Sequence, residues 1–267
     1  MDMFSITAND GTPLTYGLTG PEHGTAVLLC HGLGAGGAQF EADADFFADR
    51  GYRVIVPDLR GHGGSGMPNL VNRDAFGPAR LRADLYAMLD HGGMDRVHWV
   101  GNSLGGILGL GVAAECPERL RSLAIFGTAL ALNVPAGGWM FPALDRFPGR
   151  RPMAWLTAQA TTANRAARPL IADLLRRYDA RAAGFVVDHI RNYDLRDAAY
   201  NWSGPGLVLV GGRDRAVNRA LLGQLDGLRR LPNWQIENLP EGGHCANLDA
   251  TADWRTALLS FWSAEAG

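Results

Sequence analysis

The chain has 267 residues, enough for one large core or for a core with an inserted lid. Hydrophobic residues make up 47% and charged residues 19%, a globular balance, and the formal net charge of −2 excludes strong electrostatic attraction to nucleic acid or to an anionic membrane. No apolar run reaches the roughly 18 residues of a membrane span, Met1-Asp2-Met3-Phe4 lacks the features of a signal peptide, and Cys30, Cys116 and Cys245 are too scattered for a disulfide framework or a zinc site. The expectation is a cytoplasmic protein that binds no metal, nucleic acid or membrane; the oligomeric state stays open.

Taken in order, Phe4 to Thr7 and Leu14 to Gly17 flank Asn9-Asp10-Gly11 and read as a hairpin. Thr25 to Cys30 reads as a buried strand, Ala38 to Asp49 as a helix, Arg53 to Pro57 as a strand and Pro78 to His91 as a helix. Arg96 to Val100, Leu104 to Glu115 and Leu120 to Phe126 then read as strand, helix and strand. This alternation predicts an α/β protein with a mostly parallel central sheet and helices on both faces. The rhythm breaks from about Asn133 to Ser203, where no clear strand is visible and Ala166 to Tyr178 and Ala180 to Asn192 have helical spacing. Alternation resumes with Gly206 to Val210, Ala220 to Arg230, Asn233 to Asn238 and Thr251 to Ser263. The reading is one core, 1–132 and 204–267, with a helical cap inserted at 133–203.

The chemistry centres on Gly101-Asn102-Ser103-Leu104-Gly105, between a predicted strand and a predicted helix. A serine between two glycines at such a turn is held in strained backbone, with its hydroxyl above the sheet edge. The helix N-terminus behind it offers free N–H groups to a developing oxyanion. A serine hydroxyl needs a histidine base, and the histidine needs a carboxylate. In an open α/β sheet such groups lie just past strand C-termini. Asp214 follows the strand ending near Val210, and His244 follows the strand ending near Asn238. All 25 basic residues are arginine; the missing lysine excludes a Walker A loop, a Schiff-base mechanism and a Ser-Lys dyad.

With His31-Gly32-Leu33-Gly34 after the third strand and Asp58-Leu59-Arg60-Gly61-His62-Gly63-Gly64-Ser65 after the fourth, the chain resembles the α/β-hydrolase superfamily over nearly its whole length. The resemblance implies an α/β-hydrolase fold, a Ser103–His244–Asp214 triad, an oxyanion hole from the backbone N–H groups of Leu33 and Leu104, and no cofactor. The elbow Gly-Asn-Ser-Leu-Gly-Gly is similar to that of carbon–carbon hydrolases of ring-fission products, but Cys245 and Gly34-Ala35-Gly36-Gly37 depart from their pattern. Ile190 to Arg196, with Leu207 to Asp214, is closer to enol-lactonases and small carboxylesterases, with Asn218 where a proline often follows the acid. Cofactor-free haloperoxidases are also similar. The function so implied is hydrolysis of a small carboxylic ester or lactone through an acyl-enzyme, with carbon–carbon hydrolysis or a triad-retaining ligand receptor as alternatives.

The remaining candidates are weighed by position. His31 is expected to brace the oxyanion loop and His62 to be structural; His98 is a sheet residue, and His23 and His91 lie at the surface. Asp226, Asp249 and Asp253 read as surface charges. The lid should line an apolar pocket with Trp139, Met140, Phe141 and Trp155, and His189 on a lid helix is a further substrate contact; Phe147, Met153 and Leu156 add apolar surface. Arg150, Arg151, Arg165, Arg168, Arg176 and Arg177 read as a solvated face, any one of which would suit a carboxylate-bearing substrate.

Overall fold

The computed structural model describes residues 1–135 and 137–264. Among the described residues there are ten strands: β1 (Asp2–Thr7), β2 (Pro13–Thr19), β3 (Thr25–Cys30), β4 (Tyr52–Asp58), β5 (Val97–Asn102), β6 (Leu120–Phe126), β7 (Ala131–Asn133), β8 (Asn192–Asp194), β9 (Gly206–Gly211) and β10 (Trp234–Leu239). Eight of them form one sheet in the order β1-β2-β4-β3-β5-β6-β9-β10. β2 pairs antiparallel with β1 and with β4, and every pairing from β4 to β10 is parallel.

Side chains alternate across a strand, so a sheet covered on both sides needs apolar residues at every position. Val27, Leu29, Val54, Val56, Leu207 and Leu209 enter one core with Phe47 and Trp254, from the helices Glu41–Ala48 and Thr251–Ala264. Their neighbours Leu28, Cys30, Ile55, Val208 and Val210 enter the other core, with Leu85 and Leu108 from the helices Pro78–His91 and Leu104–Glu115. The predicted strands and helices of this core are present, with small shifts at their ends.

Two differences have local causes. The helix expected over Ala220 to Arg230 starts earlier, at Arg215, because Asp214 caps it: Asp214 Oδ1 accepts from the Val217 amide at 3.3 Å. That helix ends at Leu221 and passes through a 3₁₀ turn, Leu222–Gln224. There the Gln224 side chain accepts from the Leu130 amide at 2.7 Å and donates to the Ala131 carbonyl at 2.8 Å. The second difference lies at the edge of the segment read as strand-free and within it. β7 and β8 pair antiparallel through Ala131↔Asp194, Leu132↔Tyr193 and Asn133↔Asn192. At three residues each, they are too short to show a period of two.

Between β7 and β9 lie the helices Met140–Leu144, Arg150–Thr161, Arg168–Leu174, Ala180–Ile190 and Arg196–Asn201. Ala158, Ile171, Ala172 and Leu174 from this segment share a small apolar cluster with Cys245, so it packs directly on the loop carrying His244. Among the described residues no helix is long and apolar enough to cross a membrane.

Candidate functional site

Ser103 is the one non-glycine residue with positive φ among the described residues, at φ 51° and ψ −111°. That left-handed conformation is costly for an L-residue, and the surrounding structure must enforce it. Two flanking glycines make room. A Cβ at Gly101 would lie 2.4 Å from the Gly105 carbonyl group, and one at Gly105 would lie 2.2 Å from the Cys30 carbonyl oxygen. Hydrogen bonds then fix the turn. The Ser103 amide donates to the Phe126 carbonyl at 2.9 Å, and the Ser103 carbonyl accepts from the amides of Gly106 (2.9 Å) and Ile107 (3.1 Å) and from Thr128 Oγ1 (3.0 Å). The amide of Leu104, at the start of its helix, makes no hydrogen bond among the described residues, and neither does that of Leu33.

Asp214 and His244 meet as expected. Asp214 Oδ2 accepts from His244 Nδ1 at 2.8 Å, and the carboxylate is nearly buried, with 5% of its side chain exposed against 25% for His244. The carboxylate sits at the N-terminus of the helix Arg215–Leu221. With Nδ1 donating, Nε2 is the ring nitrogen left to act as an acceptor. Asn218 has a role of its own at this helix: its side chain donates to the Gly211 carbonyl at 2.8 Å and ties the helix to the end of β9.

The loop of His244 is bound on both sides. Asn102 Nδ2, from the residue preceding Ser103, donates to the His244 carbonyl at 2.9 Å. Asn102 Oδ1 accepts from Gln39, and Gln39 donates also to Asn247; Asn247 donates to Asp43, which Arg255 pairs at 2.7 Å. Asp249, read as a surface charge, is instead a junction. Its Oδ2 accepts from the Gly243 amide at 2.8 Å, while its Oδ1 accepts from the Asn164 amide at 3.0 Å and from Thr162 Oγ1. One carboxylate thus joins the His244 loop to the end of the helix Arg150–Thr161, and the Cys245 amide adds a bond to the Thr161 carbonyl at 3.2 Å. Asp226 is indeed exposed, beside Arg229, and so is Asp253.

His31 and His62 are structural in geometry. His31 Nδ1 donates to the Gly32 carbonyl at 2.7 Å and its Nε2 accepts from the Leu59 amide at 3.0 Å. Burial lowers its pKa to about 4, so the neutral ring braces the loop. His62, also buried, donates from Nδ1 to the Arg60 carbonyl at 3.0 Å, and desolvation with the nearby His31 lowers it to about 4. Asp58 joins the same two loops, accepting from the amides of Gly37 and Gly64 at 2.7 and 2.8 Å. His98 donates to or accepts from Ser122 Oγ at 2.7 Å within the sheet, and His91 bonds the Tyr16 hydroxyl.

Two cavities flank the elbow. The larger, about 330 Å³, has Ser103 in its wall together with Thr128, Phe141, Ile190, Arg191 and Val217. The smaller, about 80 Å³, is lined by Leu33, Asn102, Thr161, Leu174, His244 and Cys245. Of the five side chains expected to meet substrate, Phe141 alone lines the larger cavity. Trp139 (74% exposed), Met140 and Trp155 (49%) face solvent, as do Phe147 and Leu156, while Met153 lines a separate small hollow with Phe141 and Tyr178. His189 Nε2 donates to the Arg73 carbonyl at 2.9 Å and so fastens its helix to the loop before Pro78. Arg150 is held by Asp145 rather than solvated freely. The cavity walls missed from sequence come from β7, β8 and the chain beside them: Leu132, Val134, Ile190, Arg191 and Tyr193.

A sequence model described as "alpha/beta hydrolase fold" matches residues 25–251. A protein of Variovorax paradoxus named as a carbamate hydrolase is 29% identical over 262 residues, covering 93% of this chain and 96% of its own. The 3-oxoadipate enol-lactonase 2 of Acinetobacter baylyi is 28% identical over 220 residues, 79% of each chain. The crystal structure of the enol-lactonase from Burkholderia xenovorans superposes with a TM-score of 0.83 at 21% identity, over 97% of this chain and 100% of that one; at this identity the likeness shows the fold.

Proposed function

The chain belongs to the α/β-hydrolase fold family, and we propose that it is a serine hydrolase of a small carboxylic ester or lactone. The observation that carries this reading is the strained Ser103, at the N-terminus of a helix and in the wall of an apolar cavity, with the preceding residue, Asn102, hydrogen-bonded to the loop of a His244 that a buried Asp214 orients. The names of relatives, an enol-lactonase and a carbamate hydrolase, support acyl transfer to water.

In this mechanism Ser103 Oγ attacks the carbonyl carbon while His244 Nε2 takes its proton. The carbonyl π pair moves onto oxygen, and the free amides of Leu33 and Leu104 receive the resulting oxyanion. Collapse of the tetrahedral species expels the alkoxide, which takes the proton back from the His244 imidazolium and leaves an ester on Ser103. Water, deprotonated by His244, attacks that ester in turn; the acid leaves and Ser103 regains its proton. Asp214 stays ionised throughout, holding the ring and stabilising its cationic form. The helical segment at 133–203 acts as the lid, shielding the acyl group from water.

A fluorophosphonate probe tests this directly. It should add one adduct, on Ser103, and a panel of short p-nitrophenyl esters and lactones should show steady turnover that Ser103→Ala abolishes. Labelling elsewhere, or turnover surviving in Ser103→Ala, would overturn the assignment. Tight ligand binding with at most a single turnover would make the protein a receptor on the same fold.

A further inference from the structure

The cavity beside Ser103 has a simple charge pattern. Its wall is largely aliphatic or aromatic, with Ile107, Val134, Phe141 and Val187 among the lining residues. Two polar side chains in it have their hydrogens committed: Thr128 Oγ1 donates to the Ser103 and Phe126 carbonyls, and Tyr193 Oη donates to the Ala129 carbonyl at 2.9 Å. Burial pushes the Tyr193 hydroxyl up, so it stays neutral. That leaves one charged residue among those lining the cavity, Arg191.

Arg191 follows the helix Ala180–Ile190. Its backbone is fixed: the carbonyl accepts from the Val134 amide and the amide donates to the Val187 carbonyl, both at 2.8 Å. Its side chain forms no ion pair within 4.0 Å among the described residues. The neighbouring carboxylates are engaged elsewhere. Asp188 accepts from the Gly138 amide at 2.8 Å, and Asp194 is held by Arg196. Arg191 is exposed while lining the cavity, which puts it where the cavity meets solvent. The geometry is an apolar chamber with the nucleophile in its wall and an unmatched cation at its mouth.

On the reading of Ser103 as nucleophile, we propose that this chamber takes an ester or lactone whose acyl part is apolar in the middle and ends in a carboxylate, bound by Arg191. A single guanidinium matches the single charge of a carboxylate and can grip both its oxygens. A volume of about 330 Å³, at about 30 Å³ per water-sized unit, holds roughly ten non-hydrogen atoms. The substrate class is therefore a monoester, or the corresponding lactone, of a medium-length dicarboxylic acid.

The test uses the p-nitrophenyl monoesters of adipic, pimelic and suberic acid, each beside the same ester ending in a primary carboxamide. At one or more chain lengths the acid-ended ester should have the higher kcat/KM, by about tenfold or more, with the difference in KM and reduced by added salt. In Arg191→Gln the acid-to-amide ratio should fall to near one, and in Arg191→Lys it should survive in part. A ratio near one at every length in the wild type, or a high ratio that persists in Arg191→Gln, overturns the proposal. Turnover of the carboxamide esters, lost in Ser103→Ala, separately reports on the nucleophile. Calorimetric titration of free adipate, pimelate and suberate measures the anchor without turnover. Affinity that Arg191→Gln removes supports the anchor; no affinity, or equal affinity in the variant, refutes it.

Discussion

Replacing Asp249 by alanine should damage catalysis from a position that is not expected to touch substrate. The carboxylate accepts from the Gly243 amide, the Asn164 amide and Thr162 Oγ1. A hydrogen bond to a charged group contributes about 1.5–3 kcal/mol net. Asn164 is exposed and water can replace its bond, whereas Gly243 and Thr162 are buried and their donors would be stranded. Counting those two, the loss of stability comes to about 3–6 kcal/mol. At about 2–4 °C per kcal/mol for a chain of this size, the melting temperature should fall by at least about 6 °C. The kinetic consequence is the sharper test. Gly243 adjoins His244, so a freed loop lets the imidazole drift from Asp214 and Ser103, and a misplacement near 1 Å costs about 100-fold in rate. We therefore expect kcat to fall about 10- to 100-fold at a temperature where the variant is still folded, with KM changing much less and the pH profile of kcat displaced. Thr162→Val, which cuts only the side of the junction that faces the helix Arg150–Thr161, should cost less in both respects. An Asp249→Ala protein that is destabilised yet keeps wild-type kcat and pH profile would refute the reasoning and leave Asp249 as a fastener of the helix Arg150–Thr161 alone.

Three further outcomes are expected. Gly105→Ala forces a Cβ to 2.2 Å from the Cys30 carbonyl and should cost about 3 kcal/mol in urea denaturation as well as activity; a silent substitution would contradict the packing of helix against strand. His31, His62 and His98 each lie near 4 when folded, lowered by burial from 6.5, so below pH 6.5 the unfolded chain binds the additional protons; stability should be full above that pH and fall as pH drops from about 6.5 towards 4, and a flat urea midpoint across this window would refute the assignment. Phe141→Ala should change acyl preference, whereas the exposed Trp139→Ala and Trp155→Ala should alter stability by less than about 0.5 kcal/mol and leave preference unchanged, as a substrate panel with melting curves will show.

The parts of this molecule legible in sequence are those governed by short-range rules. A strand buried on both faces must be apolar throughout, so β3, β4, β5, β6 and β9 stand out as runs. Ser103 and Asp214 sit just past the ends of such runs, β5 and β9, and His244 follows the half-exposed β10 behind Gly242 and Gly243. What escapes the sequence has longer-range causes. Asp249 looks like any helix-end carboxylate until the fold brings Thr162 and Asn164 against it. β7 and β8 carry three residues each, below the length at which periodicity speaks. Residue type alone assigns Trp139 and Trp155 to the pocket, and the fold turns them to solvent. A helix as short as Met140–Leu144 shows too little of its period to mark a buried face, and Phe141, two positions from Trp139, takes the inward place.

This division bears on how the site is specified. The groups proposed here to make and break bonds sit on a sheet edge whose position is over-determined by two cores and by the Asn102–Gln39–Asn247–Asp43–Arg255 chain. Much of the rest of the chamber wall sits on β7, β8 and the helix between Asp179 and Arg191, fastened at a few points: Asp179 to Gly61, His189 to Arg73, Gln224 to Leu130 and Ala131. Changes on these elements alter the shape and charge of the chamber without disturbing Ser103, whose strain is maintained from below by Gly101, Gly105 and the Phe126 carbonyl. On the proposed reading, substrate choice is therefore written in the weakest part of the sequence signal, where one arginine among 25 is set apart by the cavity it borders beside Ser103.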